Sequence, residues 1–289
     1  MPMPLYQRRS ISKTVEEPVL VVALEGWIDA GMAAATAMAG MLAEIPTETL
    51  ATFDTGDLLD QRARRPTAVI VDGVMEALSW PEIELRVGED LDGNSIAFLT
   101  GPEPDIHWSM FVESVLELAH DLRVRMMVGL GAFPAPAPHT RPVRIAATSS
   151  SEEIALKIGF VQGSIEVPAG IEAALEMAFR REEISAVGLW ARVPHYASGM
   201  PYPAASAALV DALVAVTGLS IDSSALHSAG DSARTHIDEL IAENPKHHEM
   251  VRQLESTMDA TEGNALDLGI VPSGDEIAAE LQHYLNGER

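Results

Sequence analysis

Six consecutive apolar residues, VLVVAL at 19–24, run directly into Glu25-Gly26-Trp27-Ile28-Asp29-Ala30-Gly31, and this junction restricts the fold more than any other stretch. A valine-rich apolar run of that length is a buried strand, and a glycine-punctuated acidic turn then releases the chain into the alanine-rich segment 32–42, a helix. Strand, turn and helix in that order build α/β sheets. Turns that leave the carboxyl ends of such strands line the crevice where ligands bind, so Glu25, Trp27 and Asp29 are the first candidate site residues.

The pattern continues. Residues 48–53 are β-rich and end in the turn Asp54-Thr55-Gly56-Asp57; residues 67–71 read as another buried strand extending the same sheet and ending in Asp72-Gly73. Residues 83–87 and 95–99 flank Asp92-Gly93 and form an antiparallel hairpin. Further strands fall at 126–130, 143–148 and 187–193, with amphipathic helices at 108–122 and 171–179 and a helix at 204–216 opened by Pro203. Alternating strands and helices define the α/β class. Residues 1–18, polar with early prolines, read as a loosely held arm.

From residue 220 the strand pattern stops and three helical segments follow. The first covers 232–242 and stops near Asn244-Pro245. The second places Met250, Val251, Leu254 and Met258 on one side, and the third opens on the capping box Ser273-Gly274-Asp275-Glu276. A chain of 289 residues with 47% hydrophobic content sustains one large core plus an attachment. The expectation is therefore an α/β main domain at 1–219, a mixed sheet flanked by helices, and an acidic helical appendage at 220–289.

A net charge of −24 argues against nucleic-acid partners and anionic membranes, because phosphate neutralisation needs clustered Lys and Arg. No apolar run reaches the roughly 18 residues of a membrane span, and the N-terminus lacks the apolar core of a signal peptide, so a cytoplasmic location is expected. The absence of cysteine removes disulfides, thiolate nucleophiles and Cys-type metal sites. Only Lys13, Lys157 and Lys246 are available for Schiff-base or phosphate chemistry.

No motif spells a known reaction, and no catalytic residue or cofactor is assigned. Gly129-Leu130-Gly131-Ala132-Phe133-Pro134 lacks the third glycine and helix start of a dinucleotide fingerprint, and there is no P-loop. No G-x-S-x-G elbow occurs, and Ser149, Ser150 and Ser151 read as a turn into the helix at Glu152. His247-His248-Glu249 would need a histidine at Arg252 to be a zinc motif. Glu25, Asp29 and Asp72 are acidic turn residues of an acidic protein rather than a metal site.

The segment Pro138-His139-Thr140-Arg141-Pro142 carries more. Its prolines stiffen an extended backbone that presents His139 and Arg141, either to a carboxylate or phosphate ligand or, more plainly, to an internal carboxylate. His195 and Tyr196 follow a strand in a comparable place, and Tyr202 lies in the next loop. In a mostly parallel sheet, the Glu25–Asp29 turn, Asp72, the 138–142 segment, His195 and Tyr196 crowd one edge. Such an edge is a polar, aromatic-lined cleft or a subunit contact.

Glu25 to Gly31, Gly101-Pro102-Glu103-Pro104-Asp105, Gly129 to Ala132, Pro138 to Pro142 and Pro201-Tyr202-Pro203-Ala204-Ala205-Ser206 together resemble the proteasome assembly chaperone family, in its bacterial branch typical of actinobacteria. The resemblance covers roughly residues 18–217. It implies a phosphorylase/hydrolase-like α/β fold without established catalytic residues, self-association with a trimer as one form, and, in archaeal and eukaryotic relatives, help in assembling proteasome α subunits. Two departures stand out. Some relatives dock through a C-terminal hydrophobic-Tyr-any tail, whereas this chain ends Gly287-Glu288-Arg289 with Tyr284 inside an expected helix. The ATP-grasp label sometimes given to this branch implies lysines and a glycine-rich loop, neither of which is visible. The resulting expectation is a non-enzymatic homo-oligomer that acts on a protein partner in complex assembly. The alternative is a small-molecule protein, binder or enzyme, that takes an anion or nucleoside-like ligand in the edge cleft.

Overall fold

The structure is a computed structural model describing residues 5–260 except 13, 151, 161, 162 and 244. Along the chain come β1 (Tyr6–Arg8), β2 (Val19–Glu25), α1 (Ala33–Glu44), β3 (Thr47–Phe53), the one-turn α2 (Thr55–Leu58), β4 (Thr67–Val71) and β5 (Val74–Ser79). Then follow β6 (Glu84–Glu89), β7 (Ser95–Pro102), α3 (Trp108–Leu122), β8 (Met126–Ala135), β9 (Ile145–Ser149), α4 (Glu152–Ile158) and α5 (Ile171–Arg181). The chain continues through β10 (Ser185–Pro194), α6 (Pro203–Thr217), α7 (Ser224–Ala242) and α8 (Pro245–Ala260).

Eight strands form one mixed sheet in the order β1-β3-β6-β7-β2-β8-β10-β9. The central four, β7, β2, β8 and β10, run parallel, and the flanking pairs are antiparallel. Both faces are covered, which is why the central strands read as unbroken apolar runs. In β2, Val19, Val21 and Ala23 point into a core shared with α1, α6 and Ile237 of α7, while Leu20 and Val22 point into a second core with α3 and α5. The two-residue alternation of a strand thus divides one apolar run between two layers of helix. The helix after β2 covers one face and the helix after β7 covers the other, so the carboxyl end of β2 lies where the connections diverge. That edge is the expected place for a site.

The mixed α/β sheet flanked by helices agrees with the sequence reading, and several local expectations are corrected. The N-terminal arm is held: β1 pairs antiparallel with β3, Leu5 is buried, and Arg8 Nη1 lies 2.6 Å from Asp121 Oδ2. Its few apolar side chains suffice to extend the sheet edge. The 54–57 turn becomes α2, because the Asp54 carboxylate accepts from the Gly56 N–H at 3.0 Å and nucleates a helical turn.

The larger correction concerns 67–71. This strand joins no main sheet; β4 pairs only with β5 in a separate two-stranded ribbon whose residues are all exposed. A β-branched apolar run signals extended backbone equally well whether or not it is covered. The first C-terminal helix starts eight residues before position 232, and the capping box at Ser273 lies outside the described residues.

Candidate functional site

At the carboxyl edge of the parallel strands, Glu25 ends β2 beside Pro102 of β7, and the Glu103 N–H donates to the Glu25 carbonyl at 2.6 Å. Glu103 is buried and accepts from the Ile171 N–H at 2.5 Å, so its carboxylate sits on the first turn of α5, where unpaired N–H groups favour negative charge. Gly170 allows this closeness: a Cβ there would lie 2.9 Å from the Trp27 ring. Trp27 and Glu25 are exposed at the rim.

Asp29 is turned inward. Its two carboxylate oxygens accept from the Ala34 and Ala35 N–H groups at 2.9 and 3.0 Å, capping α1, and its backbone bridges Ala132 of β8. Gly31, at φ +67°, packs under Tyr202, whose N–H donates to the Gly31 carbonyl at 2.8 Å. Tyr202 is buried, and burial pushes its phenol up to about 12. Both residues therefore hold the strand-to-helix turn in shape.

Sequence reasoning missed two groups below this turn, Glu172 and Glu176, one helical turn apart on α5. The Glu172 carboxyl lies against the Leu24 N–H (3.4 Å) and over Gly129. Burial holds it well above the usual carboxylate range, and the neighbouring charges of Glu103, Asp29 and Glu176 add to that effect. Glu176 is raised too, by burial, while accepting from the Thr148 hydroxyl at 2.8 Å. The available signal was two acids at i,i+4 on the flank of an apolar stripe, an arrangement that is unfavourable on an open helix face. Among the described residues no three His, Asp or Glu side chains are placed to hold a metal ion.

The second cluster lies where the ends of β8 and β10 meet the C-terminal helices. The 138–142 segment is a turn, with the Arg141 N–H donating to the Pro138 carbonyl at 3.4 Å, rather than the extended piece its prolines suggested. His139 is buried with its N–H donating to the Tyr196 hydroxyl at 2.8 Å. Its Nδ1 lies 2.7 Å from the same oxygen, and Nε2 lies 2.9 Å from Asp238 Oδ1 of α7. One neutral tautomer satisfies all three contacts: the Tyr196 hydroxyl donates to Nδ1, and Nε2–H donates to Asp238. Burial pushes the Tyr196 phenol up to about 12, so it stays protonated and able to donate.

Arg141 grips α8. Nε and Nη2 donate to Asp259 at 2.9 and 2.8 Å, Nη1 donates to Glu255 at 3.1 Å, and the Thr140 hydroxyl donates to Glu255 at 2.5 Å. A cleft of about 190 Å³ remains between this loop and the facing sides of α7 and α8, lined by His139, Asp238, Ile241, Val251 and Glu255 among others. The hands offered to an outside anion are thus filled by the chain's own carboxylates.

His195 is exposed after β10, edge-on to the Tyr196 ring at 5.3 Å. The structure therefore gathers Glu25, Trp27, Asp29 and Tyr202 at the β2 end and His139, Arg141, His195 and Tyr196 at the appendage seam. Asp72 belongs to neither. It occupies the tip of the separate ribbon, where its φ of +50° and the +84° of Gly73 make the two-residue hairpin turn. No helix among the described residues is long and apolar enough to cross a membrane.

The PAC2 family model matches residues 23–241, from β2 through α7. No curated protein sequence matches the chain at a significant level. Among solved structures, a Mycobacterium tuberculosis protein of unknown function is 32% identical, with a TM-score of 0.83 over 90% of this chain and 92% of that one. A proteasome-assembly chaperone homologue from the same organism is also 32% identical, with a TM-score of 0.74 over 81% of this chain and 99% of its own. A PAC2 family protein from Streptomyces avermitilis is 33% identical, with a TM-score of 0.71 over 81% and 99% of the two chains. With the matched model running through both the β2 turn and the His139 seam, this chain belongs to the PAC2 family.

Proposed function

We propose that this protein is a non-enzymatic, self-associating assembly factor that works in the cytoplasm on a multisubunit protein complex, with proteasome subunits as its clients. The observation that carries this reading is the 32% identity to the proteasome-assembly chaperone homologue over 81% of the chain. The edge chemistry supports it. Asp29 caps a helix, Tyr202 and His139 are buried in packing contacts, and Arg141 clasps α8. Groups used in that way hold a scaffold in shape, and a scaffold acts through its surface.

Co-expression of the full chain with proteasome α and β subunits from the same organism, followed by native mass spectrometry, tests the proposal. A stoichiometric complex with subunits or half-particles that is released from the mature particle is the expected result. Absence of any complex with these subunits at mild salt overturns the proteasome assignment.

A further inference from the structure

Among the described residues, Arg192 is the one lysine or arginine that is buried, with 9% of its surface exposed. The other buried acids and the buried histidine have their partners. Asp90 accepts from the N–H groups of Asp92, Asn94 and Ser220 at 3.0, 2.8 and 2.8 Å, Glu103 accepts from Ile171, and His139 is held between Tyr196 and Asp238. Arg192 is treated differently. Its Nε is buried without a hydrogen-bond partner, and the charge that acts on it is another cation, Arg144.

Strand geometry places the pair. Val187, Leu189, Ala191 and Val193 of β10 enter the core under α1 and α6, so Gly188, Trp190 and Arg192 point to the opposite face, near the carboxyl end of the strand. Ala191 lies opposite Ile145 of β9, and the Arg192 N–H donates to the Arg144 carbonyl at 3.0 Å, which brings the two arginines side by side. Arg144 also acts on Asp259 at the end of α8. On the other flank Phe133 of β8 is in register with Arg192. Trp190 forms the adjoining wall: its ring lies 2.4–3.0 Å from where a Cβ at Gly131 would be, and its Nε1 donates to the Thr148 hydroxyl at 3.3 Å. Glycine at 131 therefore lets the indole settle onto the sheet beside the guanidinium.

A guanidinium keeps its proton in proteins, so Arg192 cannot shed the cost of burial by becoming neutral, although burial and the Arg144 charge both push its pKa down. A desolvated charge without a counter-charge is strongly unfavourable. The chain holds 43 Asp and Glu against 19 Lys and Arg, and it supplies carboxylates to Arg8, Arg64, Arg86 and Arg141. Withholding one from its buried guanidinium points to an anion from outside. With a second cation alongside, a dianion compensates better than a single carboxylate. Phosphate carries about −1.5 to −2 at neutral pH and offers three acceptor oxygens, which a guanidinium grips in bidentate fashion. The carboxyl ends of parallel strands are also where α/β sheets hold ligands.

We infer that Arg192, with Arg144 beside it and Trp190 as the adjoining wall, binds a phosphate group, either the free anion or the phosphate of a small ester. This site goes beyond the assembly reading and does not depend on it. Titration calorimetry and thermal unfolding of the full chain, prepared free of phosphate and sulfate, test it with inorganic phosphate and with phenyl phosphate, against sodium chloride at matched ionic strength. Saturable binding is expected, with Tm rising about 5 °C at about 100 times the Kd. Arg192→Met is expected to weaken binding at least tenfold with unchanged far-UV circular dichroism. Tighter binding of phenyl phosphate assigns an ester whose ring lies by Trp190, and tighter binding of inorganic phosphate assigns the free anion. No saturable response to either probe up to about 10 mM, well above a Kd of about 1 mM, overturns the site, as does binding that Arg192→Met leaves unchanged.

Stability gives a second readout that a merely structural arginine would move the other way. Methionine keeps the apolar stem of Arg192 and removes its charge, so in anion-free buffer Arg192→Met is expected to melt above wild type, and phosphate is expected to narrow or reverse the difference. A variant that melts below wild type in anion-free buffer shows a guanidinium satisfied within the chain and overturns the inference. Arg144→Gln leaves Arg192 in place and is expected to weaken phosphate binding several-fold. Unchanged affinity in that variant overturns the pairing of the two arginines.

Discussion

Tyr196→Phe removes a single oxygen and leaves the ring in place, so it isolates the polar seam between the body and α7. That hydroxyl accepts from the His139 N–H at 2.8 Å and pairs with His139 Nδ1 at 2.7 Å. His139 is buried, and a buried polar group left without a partner costs about 1–3 kcal/mol. Two groups lose their partner here, and partial exposure of Tyr196 lets water recover part of the cost. The expected loss is about 2 kcal/mol, or about 4 °C in Tm for a chain of this size. Urea unfolding at neutral pH followed by circular dichroism gives the total, and hydrogen exchange along α7 localises it, because Asp238 would hold a histidine no longer fixed from its other side. Adding Asp238→Asn to the Tyr196→Phe variant should cost less than adding it to wild type, since the two contacts act through one imidazole. A loss below about 0.5 kcal/mol with unaltered α7 exchange would refute the claim that this triad fixes the helix to the sheet.

Other predictions follow from the same geometry. Burial raises the Glu172 carboxyl, so its stabilising contribution is full below the ordinary carboxylate pKa and is lost as pH rises through its folded value; Glu172→Gln should therefore raise Tm by about 2 °C or more at pH 8, with the gain vanishing toward pH 4 in scanning calorimetry. Tyr196, at about 12, follows the same rule at the other extreme: the stability it confers persists below its unfolded value near 10 and is lost from there to about 12, a loss that Tyr196→Phe should abolish in an alkaline titration. Gly101→Ala places a Cβ against the Glu82 carbonyl at a φ of +122°, and should cost more than about 3 kcal/mol in urea unfolding. Arg141→Ala should speed amide exchange in α8 several-fold while leaving α3 unchanged, because the clasp holds the appendage and not the sheet.

Much of the scaffold was legible because its signals are local. Residues 19–24, 126–130 and 187–193 lie within β2, β8 and β10, and the apolar 3.6-residue stripe from Trp108 to Leu122 falls on α3. The shared motifs pointed to the family that the PAC2 match shows. Residues 67–71 illustrate the limit, since the same β-branched signature belongs to a strand in the core and to a bare ribbon. Site residues divide in the same way. Asp29 announced a strand-to-helix turn from sequence, but its role as a cap depends on how that turn closes. Glu172 carries no local signal of its burial, which arises only because α5 lies across β2 and β8.

Sequence by itself determined the main core strands and the long helices and which side of each is apolar, because backbone sterics and side-chain periodicity act over a few residues. Only the tertiary structure decided what those sides meet. Arg141 faces Asp259 across 118 residues of chain and His139 faces Asp238 across 99, and no local preference encodes a partner at such a distance. The pairing emerges when α7 and α8 fold back over the ends of β8 and β10, where the buried His139 ring needs a polar partner and the more exposed Arg141 meets two carboxylates of α8.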